Sequence, residues 1–195
     1  YDFKSIFDLP APWYETSSIY GAAFDAGPVG AMLFIGDSVG ESITSTFASV
    51  VTPAYPTMNY QALSNRCLVG PSCVAAASGA PDAPAIINAL TPEKYPSVAI
   101  IQLGYNDDPN TYQSDVDQVV NALSARGVQR IVFINLSTRR TSRNYALSNA
   151  VLANAAASYP NVSVLDWNAA SSAPSQNRWF SDDLHLTSTG RSEFT

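Results

Sequence analysis

The chain has 195 residues, 46% hydrophobic and 13% charged, which supplies a full core and leaves too little charge for a disordered chain. Sixteen acidic against ten basic residues give a formal net charge of -6, and Lys4 and Lys94 are the only lysines, so the cationic footprint of a nucleic-acid binder is excluded. No apolar run approaches the roughly 20 residues of a membrane span, and one globular domain is the natural reading.

The first 28 residues, rich in aromatics and prolines, read as an irregular extension packed on a main domain over residues 29–195. They contain no initiator Met and no basic-then-apolar leader, as expected of a processed chain or a domain cut from a larger, membrane-anchored protein. "VGAMLFIG" (29–36) is a buried strand, "ESITSTFASVV" a helix and "TMNYQAL" (57–63) a second strand. "SVAIIQLG" (97–104) is the third strand. Tyr112, Val116, Val119, Val120 and Leu123 then fall at helical spacing before a Gly127 stop. "RIVFINLS" (130–137) is the fourth strand, "RNYALSNAVLANAAASY" a helix, and "NVSVLDW" (161–167) the fifth strand, with "SSAPSQ" (171–176) a loop. The chain stops at Thr195, within the first turns of an expected closing helix. This alternation predicts a three-layer α/β/α domain with a central parallel sheet of about five strands.

In such a sheet ligands bind beyond the carboxyl ends of the strands. Ser38, the segment after Leu63, Asn106 and Arg139 each follow a strand and should meet on one edge. Gly36 to Gly40, "GDSVG", fits the G-x-S-x-G elbow of α/β-hydrolases, but only one convincing strand precedes it and that elbow needs several. Gly40 then reads as a small residue in the first turn of the next helix. The one histidine, His185, is the only possible base for a serine nucleophile. Asp182, three residues earlier, can reach its Nδ1 across a turn, with Asp183 the lesser candidate.

Cys67 and Cys73 flank "LVGPS", a turn-forming stretch. A disulfide there would place the protein outside the cytoplasm; the alternative is two unlinked thiols, and no histidine stands nearby to make a metal site.

"GDS" (36–38), "GYND" (104–107) and "DDLH" (182–185), in that order and in those structural contexts, resemble blocks one, three and five of the SGNH/GDSL hydrolase family over about residues 34–190. The resemblance implies a flavodoxin-like fold and serine esterase or acyl-transfer activity without metal or cofactor. It makes Ser38 the nucleophile, His185 the general base and then acid, and Asp182 its orienter. The Asn106 side chain and the Ser38 backbone N–H become oxyanion donors, with Asp37 and Asp107 bracing their loops. Block two departs from the family: "ALSN" (62–65) stands where a G-x-S-G pattern is usual. Asn tolerates the left-handed backbone that such a glycine needs, so the Asn65 N–H is the expected donor, with Gly70 and Gly79 as alternatives.

Near the same edge, Arg139 and Arg140 of "TRRTSR" could recognise an anionic group on the substrate, and Trp179 could stack on a sugar or line an acyl pocket; a solvated helix entrance and core packing are the plainer roles. Asn135 and Asn161 fit the glycosylation sequon, but Asn135 ends a buried strand. The expected function is ester hydrolysis on an extracytoplasmic small-molecule, acylated-carbohydrate or lipid ester. One alternative is an O-acyltransferase, because the cysteine pair and the N-terminus resemble extracytoplasmic SGNH domains of bacterial membrane acyltransferases. The other is a non-catalytic carbohydrate- or partner-binding module.

Overall fold

The structure, a computed structural model, describes residues 31–74 and 79–195. The expected N-terminal extension lies outside the described residues.

Five parallel strands form one sheet: β1 (Ala31–Gly36), β2 (Thr57–Ala62), β3 (Val98–Gln102), β4 (Arg130–Ile134) and β5 (Val162–Leu165), in the order β2-β1-β3-β4-β5. The strands fall where the apolar runs lie, and β2, β3, β4 and β5 are each slightly shorter than their runs. Central β1 and β3 are buried at every position, as strands covered on both faces must be, whereas β2 at the edge is only partly covered.

Helices lie on both faces. Helix α1 (Ser38–Ser42) and α2 (Thr44–Val51) replace the single expected helix, the chain breaking at Ile43. Further along come α3 (Ala83–Asn88), α4 (Tyr112–Ser124), α5 (Tyr145–Ser158), α6 (Trp167–Ser171) and α7 (Ser188–Phe194). Alternation along the strands builds two cores. Leu33, Ile35, Ile101 and Phe133 pack with Ile87 of α3, Val116 and Val120 of α4, and Leu152 of α5. Met32, Phe34, Ile100 and Val132 face the other way, onto Phe47 of α2, Trp167 of α6 and Phe194 of α7. Trp167, placed by the sequence at the end of the fifth strand, instead opens α6, because the Asp166 side chain caps that helix by accepting from Ala169 N. Helix α3 is short, and six residues carry too little periodicity to announce it, although Asp82 caps it and Pro84 stands in its first turn.

The chain runs from β1 out to β2 and then crosses back over β1 to β3, which places the switch point of the sheet between β1 and β3, where Gly36 pairs with Gln102.

Candidate active site

Asp37 follows the strand and caps α1, its Oδ1 accepting from Val39 N at 2.9 Å, so Ser38 is presented as the first residue of the helix. Gln102, buried at the end of β3, receives Gly40 N on its Oε1 at 2.7 Å and Asp37 N at 3.3 Å. Gly40 is therefore more than a small residue in a first turn. A Cβ there would stand 2.8 Å from Gln102 Oε1 and 2.9 Å from Phe34 Cε1, contacts that only the absence of a side chain permits. Both glycines of "GDSVG" serve the packing of this turn, although the elbow fold that the string suggested is absent.

Ser38 Oγ lies 3.1 Å from His185 Nε2, and His185 Nδ1 lies 2.8 Å from Asp182 Oδ2. Asp182 Oδ1 also accepts from the backbone N–H groups of His185 at 2.7 Å and Leu184 at 3.3 Å. Burial pushes this carboxyl up, but the hydrogen bonds from His185 and Leu184 and the charge of the imidazole outweigh it and hold the group down at about 2. Asp183, the lesser candidate, is exposed with φ 62°, the left-handed residue that turns the loop back. The loop is anchored beneath by buried Leu184 and Leu186, the latter bridged to Phe180.

Across the edge, Asn106 Nδ2 donates to the Arg66 carbonyl at 3.1 Å, bringing the "GYND" loop against the turn after β2. In that turn Asn65 has φ 62°, the conformation for which the sequence singled it out. Its neighbours are tied down on both sides. Glu41 Oε2 accepts from Ser64 N at 2.9 Å and from Ser64 Oγ. Arg66, 3% exposed, donates through Nε to Pro81 O at 2.9 Å and through Nη1 to Gly36 O at 3.3 Å and to Gln61 O. Gly70 drops out as an oxyanion donor, because its N–H is spent on Asp82 Oδ2 at 2.8 Å. Gly79 has φ 68° with open space about it.

The Cys67–Cys73 disulfide is formed and closes the loop that embraces Asn106. Cys67 Sγ lies 3.4 Å from the Asn106 carbonyl oxygen, Cys73 bridges to Asp107, and Val74 N donates to Asn106 O at 2.8 Å. Asp107 Oδ1 accepts from Leu68 N at 2.7 Å, within the same loop. Both buried carboxyls beside the site, Asp37 and Asp107, are raised to about 7 by burial, against the hydrogen bonds they accept. Among the described residues the Oδ2 atom of each has no hydrogen-bond partner, which suits a protonated acid better than a carboxylate.

The three residues suggested as substrate contacts are otherwise engaged. Arg139 donates to Ser171 O at 2.7 Å, Ala173 O at 2.6 Å and Asn177 Oδ1, clamping the segment after α6, with its guanidinium 5.1 Å from the Phe180 ring centre. Trp179 stacks on Trp167 with ring centres 5.8 Å apart, as part of the core. Arg140 reaches Asp182 instead of open solvent, Nη2 to Oδ2 at 2.8 Å. Arg143 spans the gap to the "GYND" loop, donating to Tyr105 O at 2.6 Å. The sequon asparagines are committed too, Asn135 Nδ2 to Asp166 and Asn161 Nδ2 to Ser124. Gln102, Glu41 and Arg66 escaped the sequence reading, and the only signal for the last two was a charged residue close to a proposed site residue.

The chain has a three-layer α/β fold on a 2-1-3-4-5 parallel sheet, with a serine after β1, an asparagine after β3 and a histidine on the last loop. In structure it is similar to TesA, with a TM-score of 0.58 and 15% identity over 83% of this chain and 91% of that one. It is likewise similar to a variant of Axe2, an acetyl xylan esterase from Geobacillus stearothermophilus, with a TM-score of 0.56 and 12% identity over 86% of this chain and 92% of that one. No family model matches the sequence, and no curated protein matches it.

Proposed function

We propose that the protein is a serine ester hydrolase that works through an acyl-Ser38 intermediate. The observation that carries the proposal is the continuous relay from Ser38 Oγ through His185 to Asp182, with contacts of 3.1 and 2.8 Å. The fold shared with an acetyl xylan esterase supports ester chemistry on it.

In the proposed reaction His185 Nε2 takes the Ser38 proton as Oγ attacks the ester carbonyl, and Asp182 stabilises the imidazolium that forms. Charge then develops on the carbonyl oxygen, and the donors suited to receive it are the N–H groups of Ser38 and Asn65 and the Asn106 amide. His185 returns the proton to the leaving alkoxide. Water, deprotonated by the same imidazole, releases the acid and restores Ser38. Leu63 and Val74, 41% and 46% exposed, border the Asn65 turn and the Asn106 turn, offering apolar surface to an acyl chain. The substrate proposed is an acyl ester of a carbohydrate or lipid met outside the cytoplasm, a location that the disulfide supports.

Intact mass after incubation with a short-chain aryl ester tests this. An acyl adduct on the wild type but not on Ser38→Ala, discharged to water at a rate that saccharides leave unchanged, supports the hydrolase. Discharge accelerated by a saccharide, with acylated sugar appearing, assigns an acyltransferase instead. No adduct and no turnover would reduce the chain to a binding module.

A further inference from the structure

The side chains of Asp182 and His185 are 42% and 45% exposed, so packing beneath the loop holds its backbone but leaves these two side chains to be oriented largely by hydrogen bonds. Asp182 accepts four. Three come from within its own turn: His185 N and Leu184 N on Oδ1, and His185 Nδ1 on Oδ2. Such a set fixes the carboxylate relative to the imidazole, yet says nothing about where the pair stands relative to Ser38. The fourth donor, Arg140 Nη2 at 2.8 Å, comes from the loop after β4 and binds the oxygen that also holds the imidazole. Among the described residues it is the only side chain from another element that hydrogen-bonds to this carboxylate.

The loop that carries Arg140 is itself fastened. Arg139 is clamped to the carbonyls of Ser171 and Ala173, Thr138 N donates to Asn168 Oδ1 at 3.0 Å, and Arg143 holds the Tyr105 carbonyl. Arg140 thus extends a rigid part of the sheet edge to an exposed carboxylate. A planar guanidinium, always charged, suits that task better than recognition of a passing anion, for which this one has already lost a donor to Asp182.

We propose that Arg140 is a positioning residue of the proposed hydrolase: acting through Asp182, it holds the imidazole of His185 over Ser38, and it does not bind the substrate. This rests on the reading of Ser38 as nucleophile. A half-exposed, charge-assisted contact is screened by water, so the effect is modest, roughly five-fold in kcat.

The test compares wild type, R140A, R140Q and R140K on neutral and anionic aryl esters, and R140A with and without D182N by single-turnover acylation at high enzyme concentration. R140A is expected to lose about five-fold in kcat with KM unchanged for both esters, R140K to recover most of the loss, and R140A to add less than about two-fold in the D182N background. If R140A does not fold, R140Q, which keeps an N–H donor without the charge, replaces it in every arm. Three results would overturn the proposal: kcat within two-fold of wild type, a KM that rises for the anionic ester alone, or a loss undiminished by D182N. Turnover surviving in Ser38→Ala would instead overturn the nucleophile reading, so the two failures are distinguishable.

Discussion

Replacing Asn106 by alanine separates the brace that its amide makes to Arg66 from the oxyanion role proposed for the same amide. Nδ2 carries two hydrogens, one of which is held by the Arg66 carbonyl at 3.1 Å. The second has no acceptor among the described residues and is free to meet a developing oxyanion. Ser38 and Asn106 follow strands β1 and β3, which are direct neighbours, so both donors issue from adjoining strand ends. Losing an oxyanion donor costs about 3 to 4 kcal/mol of transition-state stabilisation, which is about 100- to 1,000-fold in kcat, with KM nearly unchanged because the interaction strengthens only at the transition state. Losing the bond to Arg66 O costs about 1 kcal/mol of stability, or about 2 to 4 °C in Tm for a chain of this size. Asn106→Asp, with a carboxylate aimed at the Arg66 carbonyl and no hydrogen to donate, should be at least as inactive. Initial rates on a short-chain aryl ester and thermal melts measure both quantities. A kcat within ten-fold of wild type alongside the expected drop in Tm would refute the oxyanion assignment while leaving the brace intact.

The buried acids make stability depend on pH. Folded values raised to about 7 from 3.8 mean that the native state holds these protons more tightly than the unfolded chain, so the contribution of Asp37 and Asp107 is complete below about pH 4 and is lost as pH rises through 7. The fall in Tm between pH 4 and 7 should be shallower in Asp37→Asn and Asp107→Asn than in wild type; equal slopes would show that these groups do not titrate in that window. Asp182, held down at about 2, acts in the opposite sense, stabilising above about pH 4 and losing that effect as pH falls through 2, so Asp182→Asn should flatten the acid side of the same curve. Serine at both Cys67 and Cys73 opens a loop of sequence separation 6, costing about 2 kcal/mol in the chain-entropy model and about 4 to 8 °C in Tm. Because that loop embraces Asn106, kcat should fall as well; an unchanged kcat would mean that the loop holds its shape without the bond. Gly40→Ala forces a methyl against Gln102 and Phe34 and should cost about 1 to 3 kcal/mol, with a further loss of kcat as α1 shifts under Ser38. Normal activity at normal Tm would contradict the close packing of that turn.

Much of the fold was legible because the strands are buried on both faces. Unbroken runs such as "AMLFIG" and "VAIIQ" have few other uses, and turn residues between them mark the crossovers. The helices were legible in proportion to their length. Thirteen residues of α4 repeat their apolar face often enough to be read, whereas the six of α3 do not, and α1 and α2 share one apolar pattern across a break that periodicity cannot see. Trp167 was misplaced because a tryptophan after a β-branched run looks like its continuation, until Asp166 is recognised as a cap.

The site divides along a physical line. Ser38, Asp182 and His185 were proposed from their side-chain chemistry and spacing, and Asn106 from the resemblance of "GYND" to a family block; the structure brings the first three into one hydrogen-bonded line. What could not be read was how those side chains are held. The holding groups, Gln102 on Gly40, Glu41 on Ser64, Arg66 on two carbonyls and Arg140 on Asp182, are pairs far apart in sequence, and nothing local in either partner announces the other. Arg139 and Arg140 show the consequence most directly. Two adjacent arginines on the expected edge allowed an anion site, with a solvated helix entrance the plainer reading, and the fold uses one to clamp a helix end and the other to bind the carboxylate behind the proposed base. A chain with ten basic residues in all has few cations to place, and here both go to acceptors that the fold itself supplies. Charge near a site in the sequence is therefore a guide to what must be neutralised or fastened there as much as to what binds from outside, and the R140A and D182N pair is the comparison that tells these two uses apart.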